Sequence, residues 1–238
     1  MAYPCPAAIF GPQYCVQCPL DLAVVKKVMT ISEGNFSVTD INDNIVFKVK
    51  SSLLTLHERR VLLDATDIPI ATLRRKMVTM HDRWQAFRGE STKANDHIFT
   101  LKRSSRNKFK PRLHVFLAGN TKQNVCDFQV RGSWNERSCA IYAGETDNIV
   151  AKMHKKHTVQ SMLIGQDQFM VTVYPNVDYA FIVALIVILN EINFEEEEEK
   201  EEEEQEESSE EEEKEEEQQE ESSEEEGFPH VLAFLFHS

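Results

Sequence analysis

The stretch DYAFIVALIVILNEI, Asp178 to Ile192, constrains this chain more than any other. Between Asp178 and Asn190 it carries no charged side chain. The 11 residues Tyr179 to Leu189, at about 1.5 Å each, make a helix of roughly 16 Å, against a bilayer core of about 30 Å that takes around 20 residues to cross. It is too short to span. Its apolar side chains occupy every side of a helical wheel, which is the pattern of a helix buried all round. A central helix over about 178–192 is therefore predicted, and something must enclose it.

The enclosure is legible upstream. From Val24 to Tyr174 the chain reads as short runs rich in β-branched and aromatic residues, separated by turn signals at spacings of about 8 to 12 residues. In NFSVTDINDNIVFKVK, Phe36 and Val38 alternate with polar neighbours, DINDN supplies a turn, and Ile45, Phe47 and Val49 alternate again. That is a hairpin with one buried face. RRVLLDATDIPIATLRRK repeats the pattern around Asp64 to Pro69. RWQAFRG, HIFTLKRS, RLHVFLAG, NVCDFQVRG, SCAIYAG, NIVAKMH, HTVQSMLIG and QFMVTVYP bring the number of candidate strands to about a dozen. An antiparallel barrel of that size is too wide for its own inward side chains to fill, and one apolar helix through the middle fills it. The fold class predicted is α+β, mostly β: a barrel of about twelve antiparallel strands round a central hydrophobic C-terminal helix.

Several of these runs resemble the plant LURP-one-related proteins. They are YCVQCPLDLAVVKK, GNFSVTDINDNIVFKVK, HERRVLLDATDIPIATLRRKMVTMHDRWQAFRGES, CDFQVRGSWNERSCAIYAG and AKMHKKHTVQSML, followed by VTVYPNVDYAFIVALIVILNEIN. The likeness extends in order over nearly everything from Tyr14 to Phe194. It implies a fold similar to the tubby C-terminal domain and the phospholipid scramblases, a role in plant defence responses, and a relation to membrane-tethered regulators of the tubby type. Tubby-like domains bind phosphoinositides through a basic surface. No catalytic residue comes with the resemblance.

Charge marks the one clear boundary. The chain of 238 residues has a formal net charge of -14, yet 23 of its 40 acids lie between Glu195 and Glu226, beside only Lys200 and Lys214. Elsewhere there remain 24 basic residues (26 less 2) and 17 acidic ones (40 less 23), an excess of +7. The acidic segment has no apolar residue, so it cannot offset the entropy of ordering. The octet QEESSEEE starts at Gln205 and again at Gln219, a repeat of period 14. The predicted organisation is a flexible leader with Pro and Cys (1–20), the barrel domain (21–194), a disordered acidic tail (195–226) and a short apolar end (227–238). An acidic arm can compete with phosphate or lipid for the protein's own basic surface.

Little in the sequence carries catalytic chemistry. G-x-S-x-G, G-x-x-x-x-G-K and G-x-G-x-x-G are all missing, and eight glycines give nucleotide loops little material. His154 and His157 could share a metal, but two lysines between them repel a cation. Asp40, Asn42 and Asn44 have the first spacings of a calcium loop, but Ile45 and Ser51 stand where such a loop needs glycine and glutamate. A hairpin turn is the simpler reading. No enzyme activity, cofactor or metal is predicted.

Five cysteines without a secretory signal point to a reducing compartment. Cys126 and Cys139 lie in strand-like runs and read as core residues. Cys5, Cys15 and Cys18 lie in the leader, where reversible palmitoylation is one use and unmodified thiols the plainer one; Ala2 excludes N-myristoylation.

The basic excess is the positive functional signal. It gathers in Arg74, Arg75 and Lys76; in Lys102, Arg103, Arg106, Lys108, Lys110 and Arg112; and in Lys152, Lys155 and Lys156. Near an anionic leaflet each Lys or Arg is worth about 1 kcal/mol, so four to six on one face hold a protein there reversibly. Sequence-specific nucleic-acid readout lacks a helix-turn-helix, finger or aromatic RNP pattern. Two uses of the barrel follow. One is a non-enzymatic, membrane-tethered module that binds anionic phospholipid or phosphoinositide. The alternative is a protein-interaction scaffold or transcription-linked regulator without lipid binding. A third activity, lipid scrambling, needs an accessible membrane segment, which an enclosed helix does not offer. The expected protein is a monomer without a transmembrane span, cytoplasmic, peripheral at the plasma membrane or partly nuclear.

Overall fold

The structure is a computed structural model that describes residues 8–26, 36–51, 59–76, 83–103, 112–134, 137–155 and 168–193. The chain divides into two compact units, Met1–Asn190 and Glu191–Ser238. The first holds twelve strands: β1 (Leu20–Lys26), β2 (Phe36–Thr39), β3 (Ile45–Ser51), β4 (Arg59–Asp64), β5 (Pro69–Lys76), β6 (Arg83–Arg88), β7 (His97–Arg103), β8 (Leu113–Leu117), β9 (Phe128–Arg131), β10 (Ala140–Ala143), β11 (Ile149–Lys155) and β12 (Gln168–Val173). Each pairs antiparallel with its neighbours in sequence, and β1 pairs with β12 to close the barrel.

Alternation explains the strands. In β3, Phe47 and Val49 are buried while Lys48 and Lys50 face out. In β6 and β7, Trp84, Ala86, Phe99 and Leu101 are the inward set. The strand that closes the barrel, β1, begins four residues before the Val24 at which the sequence reading starts. Its signal is weak because Leu22, Ala23 and Val24 are all buried, so polar positions do not interrupt the run. The candidate strand HTVQSMLIG, 157–165, lies outside the described residues, as do residues 1–7 and 194–238.

Two hairpin tips use one device. The Asp40 carboxylate accepts the Asn42 and Asn44 backbone N–H groups at 2.8 and 2.9 Å, and Asp43 takes the left-handed conformation at φ 61°. The Asp64 carboxylate accepts those of Thr66 and Ile68 at 2.8 and 2.9 Å, with Asp67 at φ 66°. Asp and Asn tolerate that conformation and bond their own backbone two residues on, which is why DINDN and DATDI both turn the chain. These hydrogen bonds hold the Asp40 and Asp64 carboxyls below their usual range, Asn44 contributing most at Asp40 and Ile68 most at Asp64.

The helix α1 runs over 179–193. Every residue from Ala180 to Leu189 is 3% exposed or less, so α1 fills the barrel. Burying its eight large side chains contributes on the order of 12 to 24 kcal/mol before conformational entropy is charged against it. Phe181 meets Phe99 edge-on at 5.4 Å and Phe128 at 4.8 Å. Asp178 caps the helix, accepting the Phe181 N–H at 3.0 Å.

Part of the segment read from sequence as a flexible leader is held in place at this end. The other oxygen of Asp178 accepts the backbone N–H groups of Phe10 at 2.6 Å and Gly11 at 3.3 Å. Cys15 bridges to Asp178, Arg88 donates to the Phe10 carbonyl at 3.0 Å, and Tyr14 packs on Phe47 and Tyr179. Residues 8–18 thus lie over the end of the barrel at which α1 begins.

Candidate functional site: a basic rim

The barrel has two unlike ends. At the hairpin end lie the connections from β2 to β3, β4 to β5, β6 to β7, β8 to β9 and β10 to β11, and α1 begins there. At the far end the odd strands finish and the even strands start. The described acids before α1 all lie at the hairpin end: Asp21, the tip residues Asp40, Asp43, Asp64 and Asp67, then Glu90, Asp96, Asp127, Glu145, Asp147 and the cap Asp178. Among the described residues before α1, the far end is basic. On β4 it carries Arg59 and Arg60, on β5 Arg74, Arg75 and Lys76, on β6 Arg83, on β7 Lys102 and Arg103, and Arg112 precedes β8.

Register turns some of these into a row. Lys76 lies opposite Arg83, Arg83 opposite Lys102, and Lys102 opposite His114. Directly opposed residues have Cβ atoms about 4.5–5.5 Å apart, and like charges there destabilise a sheet by a few tenths of a kcal/mol. Lys102 lies over the Phe116 ring at 5.1 Å and donates to Gln123 Oε1. Burial, and then the neighbouring Arg83 guanidinium, pull the Lys102 ammonium below its usual range. The Nε of Arg83 is buried and makes no hydrogen bond. Arg74, two pairs along the ladder, lies over Phe87 at 5.2 Å and donates to Gln85 at 3.4 Å. Burial also lowers the basicity of His114, more than Glu145 restores it. The row is an electropositive strip with no described acid in it, which an anion would relieve.

Of the residues singled out in the sequence, Arg74, Lys76, Lys102 and Arg103 come together on β5 and β7, with Arg112 just before β8. Arg75 and Arg103 stand two residues on from the buried Leu73 and Leu101 and share their face, so they belong to the inward set. Lys152 is elsewhere: β11 is four strands round the barrel from β7 and six from β5. Arg106, Lys108, Lys110 and Lys156 lie outside the described residues, and Lys155 ends β11. Sequence reasoning missed Arg83 and His114, neither of which lies in a run of basic residues. Only register puts them between clusters.

Other cations are already engaged. Lys48 and Lys50 pair with Asp67 at 3.0 and 3.5 Å, and Arg131 with Asp147 at 3.2 Å. Arg59 reaches the Glu90 carbonyl at 2.9 Å. Among the described residues no three metal-ligating side chains cluster, and no helix is long and apolar enough to cross a membrane. Cys126 and Cys139 are core residues, and burial pushes the Cys139 thiol up to about 11.

Comparison with known proteins agrees with the barrel. The family model for LURP-one-related proteins matches residues 20–190. Among similar Arabidopsis thaliana proteins, LURP-one-related 15 is 56% identical over 188 residues, covering 79% of this chain and 87% of the relative. LURP-one-related 10 is 56% identical over 190 residues, covering 79% and 98%. Protein LURP1 is 50% identical over 187 residues, covering 79% and 90%. An X-ray structure of an Arabidopsis thaliana protein superposes with a TM-score of 0.63 at 48% identity, covering 78% of this chain and 98% of that one. With a matching family model over most of its length and relatives of this identity, the chain belongs to the LURP-one-related family.

Proposed function

We propose that this protein is a non-enzymatic module that docks reversibly on anionic phospholipid, phosphoinositides included, as a peripheral component of plant defence signalling at the plasma membrane. The observation that carries this reading is the Lys76–Arg83–Lys102 row, three cations directly opposed on neighbouring strands. At about 1 kcal/mol per cation near an anionic leaflet, these three with Arg74 supply a weak, salt-sensitive anchor. The resemblance to tubby-like domains supports the same reading. Co-sedimentation of the full chain with phosphatidylcholine vesicles, with and without phosphoinositide and at low and high salt, tests it. Binding that needs the phosphoinositide and fades with salt supports the module; no binding at low salt removes it.

A second reading is a scaffold or transcription-linked regulator that works through protein contacts. Ile41 and Ile68, at neighbouring hairpin tips and 73% and 60% exposed, favour it. Substituting both with serine leaves vesicle binding intact on the first reading and abolishes partner capture on the second.

A further inference from the structure

We infer that the barrel meets an anionic bilayer end-on, with the far rim of β4–β7 against the headgroups and the hairpin end turned away. This rests on the reading of the basic row as a lipid contact and adds the orientation.

Charge sits on the rim and not on the wall. On β4, β5, β6 and β7 the positions between the strand ends are uncharged: Val61 to Leu63, Ile70 to Leu73, Gln85 to Phe87 and Ile98 to Leu101. A contact made by the side of the barrel would use outward residues along the strands. Here Thr72, Phe87 and Thr100 occupy those outward positions, and all three are uncharged and buried.

At the rim itself both sets carry cations. Lys76, Arg83 and Lys102 face outward, and Arg60, Arg75 and Arg103 share the inward face, opposite Leu73, Trp84 and Leu113. The inward three belong to the interior of the barrel, and the outward three are the ones a surface can meet. Four strands at about 4.8 Å spacing spread the rim over roughly 14 Å, wider than one phosphate and suited to several headgroups at once.

The opposite end makes the orientation unequal. Asp40, Asp43, Asp64, Asp127, Glu145 and Asp147 lie at or beside the hairpin tips and outnumber the cations described there, Arg88, Lys93 and Lys122. An anionic surface repels that end while it attracts the other, so the described charges before α1 form a dipole along the barrel axis.

Hydrogen–deuterium exchange on the full chain bound to phosphatidylcholine vesicles doped with phosphatidylserine reads the orientation, with pure phosphatidylcholine as control. Peptides covering residues 73–76, 83–85 and 100–103 are expected to slow severalfold on binding, and those covering 40–45 and 64–68 to keep their free rate. A Lys76→Gln, Lys102→Met variant, which keeps the cover over Phe116, is expected to lose most of that slowing. Equal slowing at the hairpin tips, or slowing at the tips alone, overturns the end-on arrangement while leaving lipid binding in place. If the protein fails to co-sediment with the doped vesicles, both the arrangement and the proposed function fall. Inositol hexakisphosphate in place of vesicles separates the sources: slowing by it as strong as by vesicles overturns the bilayer in favour of a soluble phosphate.

Discussion

Asp178 is one carboxylate holding three backbone N–H groups from two distant parts of the chain: Phe181 at the start of α1, and Phe10 and Gly11 across the barrel end. It is 1% exposed, so none of these donors has water as a substitute. Asp178→Asn keeps the size but removes the charge and sets an amide NH₂ against a donor, which predicts a loss of about 1–3 kcal/mol in urea unfolding. An unchanged midpoint contradicts the cap. In the sequence Asp178 is legible as the polar edge of an apolar run, but its hold on Phe10, 168 residues away, is not.

Cys139 makes a pH prediction. Burial raises its thiol from 9.0 to about 11 in the fold. Above about pH 9 the unfolded thiol has lost its proton and the native one has kept it, so the unfolded state binds fewer protons and stability falls as pH rises, by about 1.4 kcal/mol per pH unit for this group. Cys139→Ala should flatten the decline between about pH 9 and 11 in a series of denaturant titrations. A slope equal to that of the parent protein would show that the thiol ionises freely in the fold.

At the scale of elements, α1 is the part the sequence specifies best, because a run apolar on every side has few places to go. Ile186 lies in its middle at 2% exposure. Ile186→Asp puts a carboxylate without a partner inside the barrel, which predicts global unfolding, seen as loss of the folded chemical-shift dispersion and of soluble expression. A folded, soluble Ile186→Asp protein would sink the assignment of α1 as filling. The hairpins β2–β3 and β4–β5 were equally legible, since turn chemistry and alternation agree in DINDN and DATDI. The row was not. Lys76, Arg83 and Lys102 are separated by segments whose length says nothing of register, and pairing across β5, β6 and β7 is set by the buried Leu73, Ala86 and Phe99 on the other face. The same row carries a stability cost, so Lys76→Gln is expected to raise the melting temperature slightly while it weakens vesicle binding; a lowered melting temperature would mean the lysine is structural.

Over the whole molecule, sequence composition hides the relevant quantity. The net charge of -14 combines a basic excess of +7 with an acidic segment of 23 glutamates and two lysines. Long-range repulsion between that segment and an anionic surface opposes docking, an effect that salt screens over about 10 Å at 0.1 M. Removing residues 195–238 is therefore expected to raise vesicle affinity at low salt and to matter little at high salt. Equal affinity with and without them at low salt would exclude the segment from control of binding. Among the described residues before α1, acids gather at the hairpin end and cations at the far end of β4–β7, and that sorting depends on strand direction, which only the closed topology supplies.

The central claim is that position on the barrel, and not the total of basic residues, decides binding. The measurement that tests it most directly is co-sedimentation of three full-length proteins with the same anionic vesicles: the parent, Lys76→Glu in the row, and Lys152→Glu on β11, four strands from the row's nearest end. The two variants change net charge equally. The account predicts that Lys76→Glu loses most of the binding and that Lys152→Glu keeps most of it. Equal losses would contradict it, and would reduce the basic rim to charge scattered round a barrel.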